Sequence, residues 1–249
     1  HLSTIFISFL AFSFTASTIY IFNDIKDVDY DKNGSKKNIF VTNTLSIRTG
    51  YLIAISLLFI GLLLGAYSGN YTILLTYILI NILYTLKLKR IPYLELFCIV
   101  SGFMLRIHYG GITTGTKITY WLYTETFILT LLIILSKRIK ELIQFQESKR
   151  LAREVIKLYN TKALYNLFIV LNAIIFFIYT FYCLDQNVID RTNEKIWITI
   201  PLVFFGLCRF TYTTLKNENH ASPINNLLQD KLLMIIISLW LITWFYLIY

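Results

Sequence analysis

Proline, cysteine, histidine and charge are all scarce in this chain of 249 residues. It contains three prolines, three cysteines and three histidines, and only 15% of its residues are charged. By contrast, 56% are hydrophobic and 16% are aromatic. This composition is too apolar for a soluble domain, so the lipid bilayer is the expected solvent.

The scarce residue types also exclude several kinds of site. Cys98, Cys183 and Cys208 all lie inside apolar runs and have neither disulfide nor metal-ligand spacing, so they are predicted to be small core residues. The histidines form no ligand set. Because no linker rich in proline, glycine or serine divides the chain, residues 1–249 are predicted to form one transmembrane catalytic domain.

Eight apolar runs have a length suited to a transmembrane helix. We therefore expect an all-α, polytopic helical bundle, since the strands of a membrane barrel would alternate over shorter segments. The chain begins at His1, within an apolar run that is too long for a cleaved signal peptide, and we expect an N-terminal piece to precede it. The predicted spans are residues 2–22, 51–67, 70–86, 93–112, 118–136, 162–184, 196–213 and 231–249.

Lysine and arginine are distributed unevenly between the connecting segments. One alternating set of segments holds 16 of these residues and the other set holds 3. The positive-inside rule places the first set in the cytoplasm of a multi-pass protein, with the plasma (inner) membrane as the expected location. The net charge of +9 favours anionic lipid head groups rather than nucleic acid. The cytoplasmic set is 23–50, 87–92, 137–161 and 214–230, and the other set is 68–69, 113–117 and 185–195.

Four aspartates lie within residues 23–31, directly after the first apolar run. On a helix, Asp24, Asp27 and Asp31 have i, i+3 and i+7 spacing and share one face. Carboxylates without nearby histidine or cysteine suit a hard cation such as Mg²⁺, which substrate phosphates usually help to coordinate. The alternative is a solvated acidic helix end, but ionisable groups at the mouth of a membrane bundle are usually functional.

A basic segment follows the fifth predicted span. Lys137 and Arg138 lie four and three residues before Glu141, so all three can lie near one helical face. Arginine can bind phosphate through two parallel hydrogen bonds, which makes this segment a candidate phosphate clamp, with Glu141 orienting the cations. Ordinary positive-inside anchoring explains the same residues equally well.

Three further basic positions have two interpretations each. The segment from Tyr84 to Arg90, which includes Lys89, fits membrane anchoring better than phosphate binding. Arg106 lies inside a predicted span, where it needs a carboxylate or a substrate phosphate as partner. Arg209 lies near enough to a span end to extend its charge to the membrane surface.

The pattern N-D-x-x-D-x-x-x-D after an apolar span resembles the first aspartate motif of the UbiA superfamily of intramembrane prenyltransferases. The Lys-Arg-x-x-Glu-Leu sequence at 137–142 resembles, more specifically, the polyprenyl-phosphate phosphoribosyltransferases of that superfamily. Ordinary prenyltransferases carry a second aspartate-rich motif there. Further similarity lies at 16–24, 84–89, 102–106, 110–111, Arg209, 222–223 and 230–233.

The resemblance implies a UbiA-type bundle and a Mg²⁺-dependent transferase. It implies that Asp24, Asp27 and Asp31 hold Mg²⁺ against the pyrophosphate of phosphoribosyl pyrophosphate. It further implies that the 5-phosphoribosyl group moves to a decaprenyl-like polyprenyl phosphate. The other residues that it implicates in substrate binding are Asn23, Lys37, Tyr84, Lys89, Arg106, Lys137, Arg138 and Glu141.

The segment after Asp31 departs from the family pattern. The family usually has a His-Pro and then an Arg-Pro-containing segment, whereas this chain has Gly34-Ser35 and Asn38-Ile39, with about two residues fewer. One alternative function is a UbiA-type transferase with a prenyl diphosphate donor and an aromatic or other acceptor. The alternative from another class is a transporter, although the interrupted helices typical of transporters are not found.

Overall fold

The computed structural model describes residues 2–32, 38–148, 154–216 and 229–248, and within them the regular structure is helical. The predicted all-α fold class is therefore confirmed. The α-helices are α1 (Leu2–Lys26), α2 (Val28–Asp31), α3 (Ile47–Tyr67), α4 (Tyr71–Leu86), α5 (Leu94–Thr114), α6 (Tyr120–Ser148), α7 (Thr161–Leu184), α8 (Gln186–Ile189), α9 (Thr199–Leu215) and α10 (Lys231–Ile248). Short 3-10 helices cover Leu88–Arg90, Glu194–Ile198 and Glu154–Leu158.

Six of the described helices are long and apolar enough to cross a membrane. The predicted span at 70–86 corresponds to the shorter apolar helix α4, and the one at 118–136 is the apolar first part of α6. The protein is thus a multi-pass membrane protein. The six helices are Leu2–Lys26, Ile47–Tyr67, Leu94–Thr114, Thr161–Leu184, Glu194–Leu215 and Lys231–Ile248.

The chain forms two compact units, one of His1–Thr119 with Arg150–Val155 and one of Tyr120–Lys149 with Ile156–Tyr249. In the first unit, α1 packs closely on α3. A Cβ atom added at Gly61 would lie only 2.7 Å from Thr15 Oγ1, so a small residue is needed at this crossing. Thr18 Oγ1 donates a hydrogen bond across the same interface to the Ala54 carbonyl oxygen, at 3.1 Å.

The core of the second unit is organised around the Tyr179 hydroxyl on α7. It accepts hydrogen bonds from the indole nitrogens of Trp240 and Trp244, at 2.8 and 3.1 Å. It also lies 2.8 Å from Thr199 Oγ1, so one phenol group joins α7, α9 and α10. A buried hydroxyl with several partners gives this apolar core a specific arrangement.

The cysteines differ in burial. Cys183 is buried and Cys98 is half-buried, but Cys208 is exposed on α9. The prediction that all three are core residues is therefore wrong for Cys208. An apolar run in a membrane helix also includes a face that packs on lipid, and hydrophobicity alone does not tell the two faces apart.

Candidate active site

The aspartate motif lies at the join between α1 and α2, where Asp27 separates the two helices. The helical hydrogen-bond pattern nevertheless continues through the join. Asp27 N donates to the Asn23 carbonyl oxygen at 2.9 Å, and Asp31 N donates to the Asp27 carbonyl oxygen at 2.8 Å. The helical interpretation of residues 23–31 is therefore confirmed except at Asp27 itself, and Asp24, Asp27 and Asp31 keep near-helical spacing.

A lysine from a distant part of the chain pairs with the central aspartate. Lys89 Nζ donates to Asp27 Oδ1 at 2.8 Å, and the two side chains are 23% and 19% exposed. Lys89 belongs to the 3-10 turn after α4, which brings it to the end of α1. One turn deeper, Thr85 Oγ1 lies 2.7 Å from Asn23 Oδ1. Sequence reasoning singled out Lys89 and Asn23 but missed their partners and the role of Thr85.

Asp31 is held by a residue that sequence reasoning did not identify. Asn38 Nδ2 donates to Asp31 Oδ2 and to the Asp24 carbonyl oxygen, both at 2.8 Å. Asp31 is 5% exposed and Asn38 is 2% exposed. In the sequence, Asn38 stood out only because it departs from the family pattern. That departure did not indicate a hydrogen bond to Asp31.

The fourth aspartate of the motif, Asp29, lies off this face. Its side chain is 94% exposed and pairs with Lys32 at 2.8 Å. The hydrogen bond from Lys32, followed by its positive charge, lowers the pKa of Asp29. Asp29 is therefore a solvent-facing residue outside the face predicted for the other three aspartates.

The aspartates do not form a preassembled metal cage. Among the described residues, no three histidine, cysteine, aspartate or glutamate side chains are close enough to hold one ion. Carboxylates repel one another when no cation lies between them, and here Asp27 pairs with an ammonium group and Asp31 with an amide. The oxygen-only donor set still fits Mg²⁺, which is commonly bound by one or two carboxylates together with substrate phosphates. The three-aspartate metal site thus stays a prediction.

In the second unit, the basic segment is the part of α6 that follows its apolar region. Arg138 is 1% exposed, and its Nη1 donates to Glu141 Oε2 at 2.5 Å. Lys137 is exposed, so the two neighbouring cations have different surroundings. Lys140 is 7% exposed, and its burial lowers the pKa of the ammonium group. The Lys-Arg-x-x-Glu-Leu pattern leaves the position of Lys140 unspecified, so the motif gave no signal for this residue.

Arg106 is not brought to the aspartates. Its guanidinium lies over the ring of Phe12 on α1, 5.3 Å from the ring centroid. Phe12 precedes Asp24 by 12 residues on the same helix, or about 18 Å at a rise of 1.5 Å per residue. Arg106 is itself exposed, and within the described residues its guanidinium contacts the rings of Phe12 and Phe103 and forms no ion pair.

Three other residues that the sequence singled out are Tyr84, Lys37 and Arg209. Tyr84 is half-buried on α4, and Lys37 lies outside the described residues. Arg209 Nε donates to Asp230 Oδ2 at 2.8 Å, while Asp230 Oδ1 accepts from Leu233 N at the start of α10. Arg209 is thereby part of a capping interaction between α9 and α10.

The UbiA prenyltransferase family model matches residues 1–152 of this chain, which is more than half of its length. The chain belongs to the UbiA prenyltransferase family. It is accordingly a membrane-embedded transferase, and its acidic motif lies within the matched residues.

Several relatives of this chain carry the same name. Decaprenyl-phosphate phosphoribosyltransferase from Corynebacterium glutamicum is 25% identical over 241 residues, which cover 94% of this chain and 72% of that protein. The protein of that name from Mycobacterium tuberculosis is 21% identical over 248 residues, covering 97% and 80%.

The fold has solved counterparts. A UbiA homologue from Archaeoglobus fulgidus bound to GPP and Mg²⁺ has a TM-score of 0.70 and 17% identity, covering 100% of this chain and 88% of that one. At this identity the likeness concerns the fold alone, and it confirms the expected UbiA-type bundle.

Proposed function

We propose that this UbiA enzyme transfers a 5-phosphoribosyl group from phosphoribosyl pyrophosphate to a polyprenyl phosphate. The observation that carries the proposal is Arg138, a buried guanidinium paired with Glu141 in the Lys-Arg-x-x-Glu-Leu segment. Similarity to two proteins named decaprenyl-phosphate phosphoribosyltransferase supports the same assignment.

The chemistry of the donor explains why a basic segment is useful. A prenyl diphosphate has one charged end, whereas phosphoribosyl pyrophosphate is charged at both ends of its ribose. A single metal site covers only the pyrophosphate. Lys137 and Arg138 supply positive charge for a second phosphate, either the 5-phosphate of the donor or the phosphate of the acceptor. Glu141 holds the guanidinium in one orientation.

The acidic motif supplies the proposed pyrophosphate site. Asp24, Asp27 and Asp31 are the residues that would hold Mg²⁺, and a bound Mg²⁺ supplies charge neutralisation for the departing pyrophosphate. Lys89 lies against Asp27 and can contribute its ammonium group to the same pyrophosphate. Asn23, fixed by Thr85, adds a neutral polar group beside them.

The reaction needs no strong base. A phosphate oxygen of the acceptor forms a bond to ribose C1 while the bond from C1 to the pyrophosphate oxygen breaks, and pyrophosphate leaves with the bonding electrons. The acceptor phosphate is already anionic, so no side chain has to remove a proton. The apolar surroundings accommodate the isoprenoid tail and limit hydrolysis of the donor.

The second candidate is transfer of a prenyl group from a prenyl diphosphate. Solved UbiA homologues bound to GPP and to DMAPP, each with Mg²⁺, support it. Purified protein incubated with Mg²⁺, a polyprenyl phosphate and labelled phosphoribosyl pyrophosphate should form a labelled lipid. Labelled prenyl diphosphates with an aromatic acceptor provide the matched comparison. Product from the prenyl donors alone would overturn the phosphoribosyl assignment.

We also propose that the acidic and basic segments face the cytoplasm, because 16 lysines and arginines lie in their set of segments against 3 in the other. Single cysteines at Thr44 and Lys157, in a background without native cysteines, should react with an impermeant thiol reagent only from the cytoplasmic side. A cysteine at Asn187 should react only from the opposite side. The reverse pattern would contradict the orientation.

A further inference from the structure

The Asn38 side chain uses both ends of its amide in the first unit. Its Nδ2 donates to Asp31 Oδ2 and to the Asp24 carbonyl oxygen, each at 2.8 Å. Its Oδ1 accepts from Phe40 N at 3.0 Å. The orientation of the amide is fixed by these partners, because a backbone N–H requires an acceptor and a carboxylate requires a donor.

Packing holds this amide in place. The Asn38 carbonyl oxygen accepts from Val41 N and Thr42 N, both at 3.0 Å, which closes a tight turn. Phe40 is 4% exposed and fills a small core with residues of α1 and α2. A Cβ atom at Gly50 would lie 2.5 Å from the Phe40 ring, so a glycine there makes room for the ring. The buried Phe40 ring thus fixes the turn that carries Asn38.

The position of Asn38 bridges the helix break at Asp27. One hydrogen bond reaches the last turn of α1 through the Asp24 carbonyl oxygen, and the other reaches the Asp31 carboxylate at the end of α2. The amide therefore sets where Asp31 lies relative to Asp24. A neutral amide orients a carboxylate without cancelling its charge, in contrast to the ammonium group of Lys89 at Asp27.

We propose that Asn38 is a positioning residue that orients Asp31 for binding a divalent cation. This inference rests on the metal site in the proposed function. Hydrogen-bond partners of metal ligands fix ligand orientation, and their loss typically weakens metal affinity about 10–100-fold. Asn38 fits this role because it is buried, fully hydrogen-bonded and held by its own turn.

The test measures metal binding without turnover. Mn²⁺ is titrated into purified, detergent-solubilised protein without donor, and free Mn²⁺ is followed by electron paramagnetic resonance. Asn38→Ala should raise the Mn²⁺ dissociation constant about 10–100-fold. Thr44→Ala, an exposed change in the same loop, should leave it unchanged.

A double-mutant cycle separates positioning from folding. If Asn38 acts through Asp31, adding Asn38→Ala to Asp31→Ala should weaken Mn²⁺ binding by less than about threefold. A lower melting temperature of Asn38→Ala with wild-type Mn²⁺ affinity in the folded fraction would overturn the inference. Asn38→Ser, which keeps a short donor, should show a smaller loss of affinity and provides the same test if Asn38→Ala does not fold.

The outcomes also separate this inference from the proposed function. Mn²⁺ binding that depends on Asp27 but not on Asn38 rejects only the positioning role. Binding that depends on both residues, with no use of phosphoribosyl pyrophosphate, rejects only the proposed donor. Wild-type protein without Asp27-dependent Mn²⁺ binding rejects the role of Asn38, whereas the metal site of the proposed function, which includes donor phosphates, is decided by the labelled-donor assay.

Discussion

The acidic site of the first unit and the basic segment of the second are assembled in different ways. Asp27 pairs with Lys89, which lies 62 residues away in the sequence, and both side chains remain partly exposed. Arg138 pairs with Glu141 only three residues away on one helix, and the arginine is almost fully buried. The first arrangement depends on tertiary packing, whereas the second is set by helical spacing.

This difference bears on how each region can bind a ligand. At the acidic site Asp27 has a lysine partner and Asp31 has an amide partner, and the proposed cation and phosphate would replace the contact between Asp27 and Lys89. At the basic segment a buried guanidinium already has a fixed orientation and a shielded environment, where charge interactions are stronger. The comparison predicts an adjustable acidic site and a preorganised basic one.

The largest expected effect comes from neutralising the centre of the acidic site. Asp27→Asn keeps the shape of the side chain but removes its charge, and it should lower the transfer rate by at least about 10²–10³-fold while the helical content stays unchanged. Turnover measured across a Mg²⁺ titration provides the check. Asp29→Asn, at an exposed position, is the matched control and should stay near wild type. Equal activity of the two variants would show that Asp24, Asp27 and Asp31 do not bind a catalytic ion.

The preorganised region should respond to geometry as well as charge. Arg138→Ala should raise the donor or acceptor KM roughly 10–150-fold, since a charge-assisted hydrogen bond contributes about 1.5–3 kcal/mol. Arg138→Lys should recover only part of this loss, because a point charge lacks the planar guanidinium. Steady-state kinetics with each substrate varied would measure both effects.

The control for Arg138 is another cation of the second unit. Lys157 is exposed and lies 5.7 Å from the Phe145 ring, so Lys157→Ala removes a positive charge without opening a buried site. Its KM values should match wild type. If Arg138→Ala and Lys157→Ala behave alike, the basic segment serves membrane anchoring rather than phosphate recognition.

The same contrast explains how much was predictable from sequence. Helical spacing correctly predicted the proximity of Arg138 to Glu141 and the helical course of residues 23–31 on either side of Asp27, because these relations are local. The contacts of Lys89 with Asp27 and of Asn38 with Asp31 could not be predicted. Each depends on tertiary packing of distant segments or on the path of an irregular loop, which residue spacing does not encode.

Burial was the other property that sequence could not supply. Hydrophobic runs identified the membrane helices, yet they did not distinguish exposed Cys208 from buried Cys183. Arg106 illustrates the same limit, since its position inside a span did not indicate that its guanidinium contacts the rings of Phe12 and Phe103. Side-chain surroundings in a bundle follow from helix packing, which periodicity describes only in part.

A smaller effect should come from removing the lysine of the adjustable site. Lys89→Met keeps most of the side-chain length and loses the charge, and it should raise the donor KM about tenfold with little change in acceptor KM. Lys87→Met, at an exposed lysine two residues earlier, controls for the general positive charge of this segment. If both variants give the same donor KM, Lys89 does not contact the donor and its pairing with Asp27 is structural.

The smallest expected effect concerns the stability of the basic segment. Burial lowers the pKa of Lys140 below its usual value of 10.5, so the charged lysine is disfavoured in the folded state. The unfolded chain then binds more protons between the two pKa values, and stability should rise with pH across that window. Lys140→Met should raise the melting temperature by about 1–3 °C at neutral pH, with the gain shrinking as pH approaches 10.5. Thermal unfolding at several pH values measures this, and exposed Lys137→Met should show no such trend. A lower melting temperature for Lys140→Met would instead mean that Lys140 makes a favourable charge interaction, and the segment would then hold a second buried cation suited to binding phosphate.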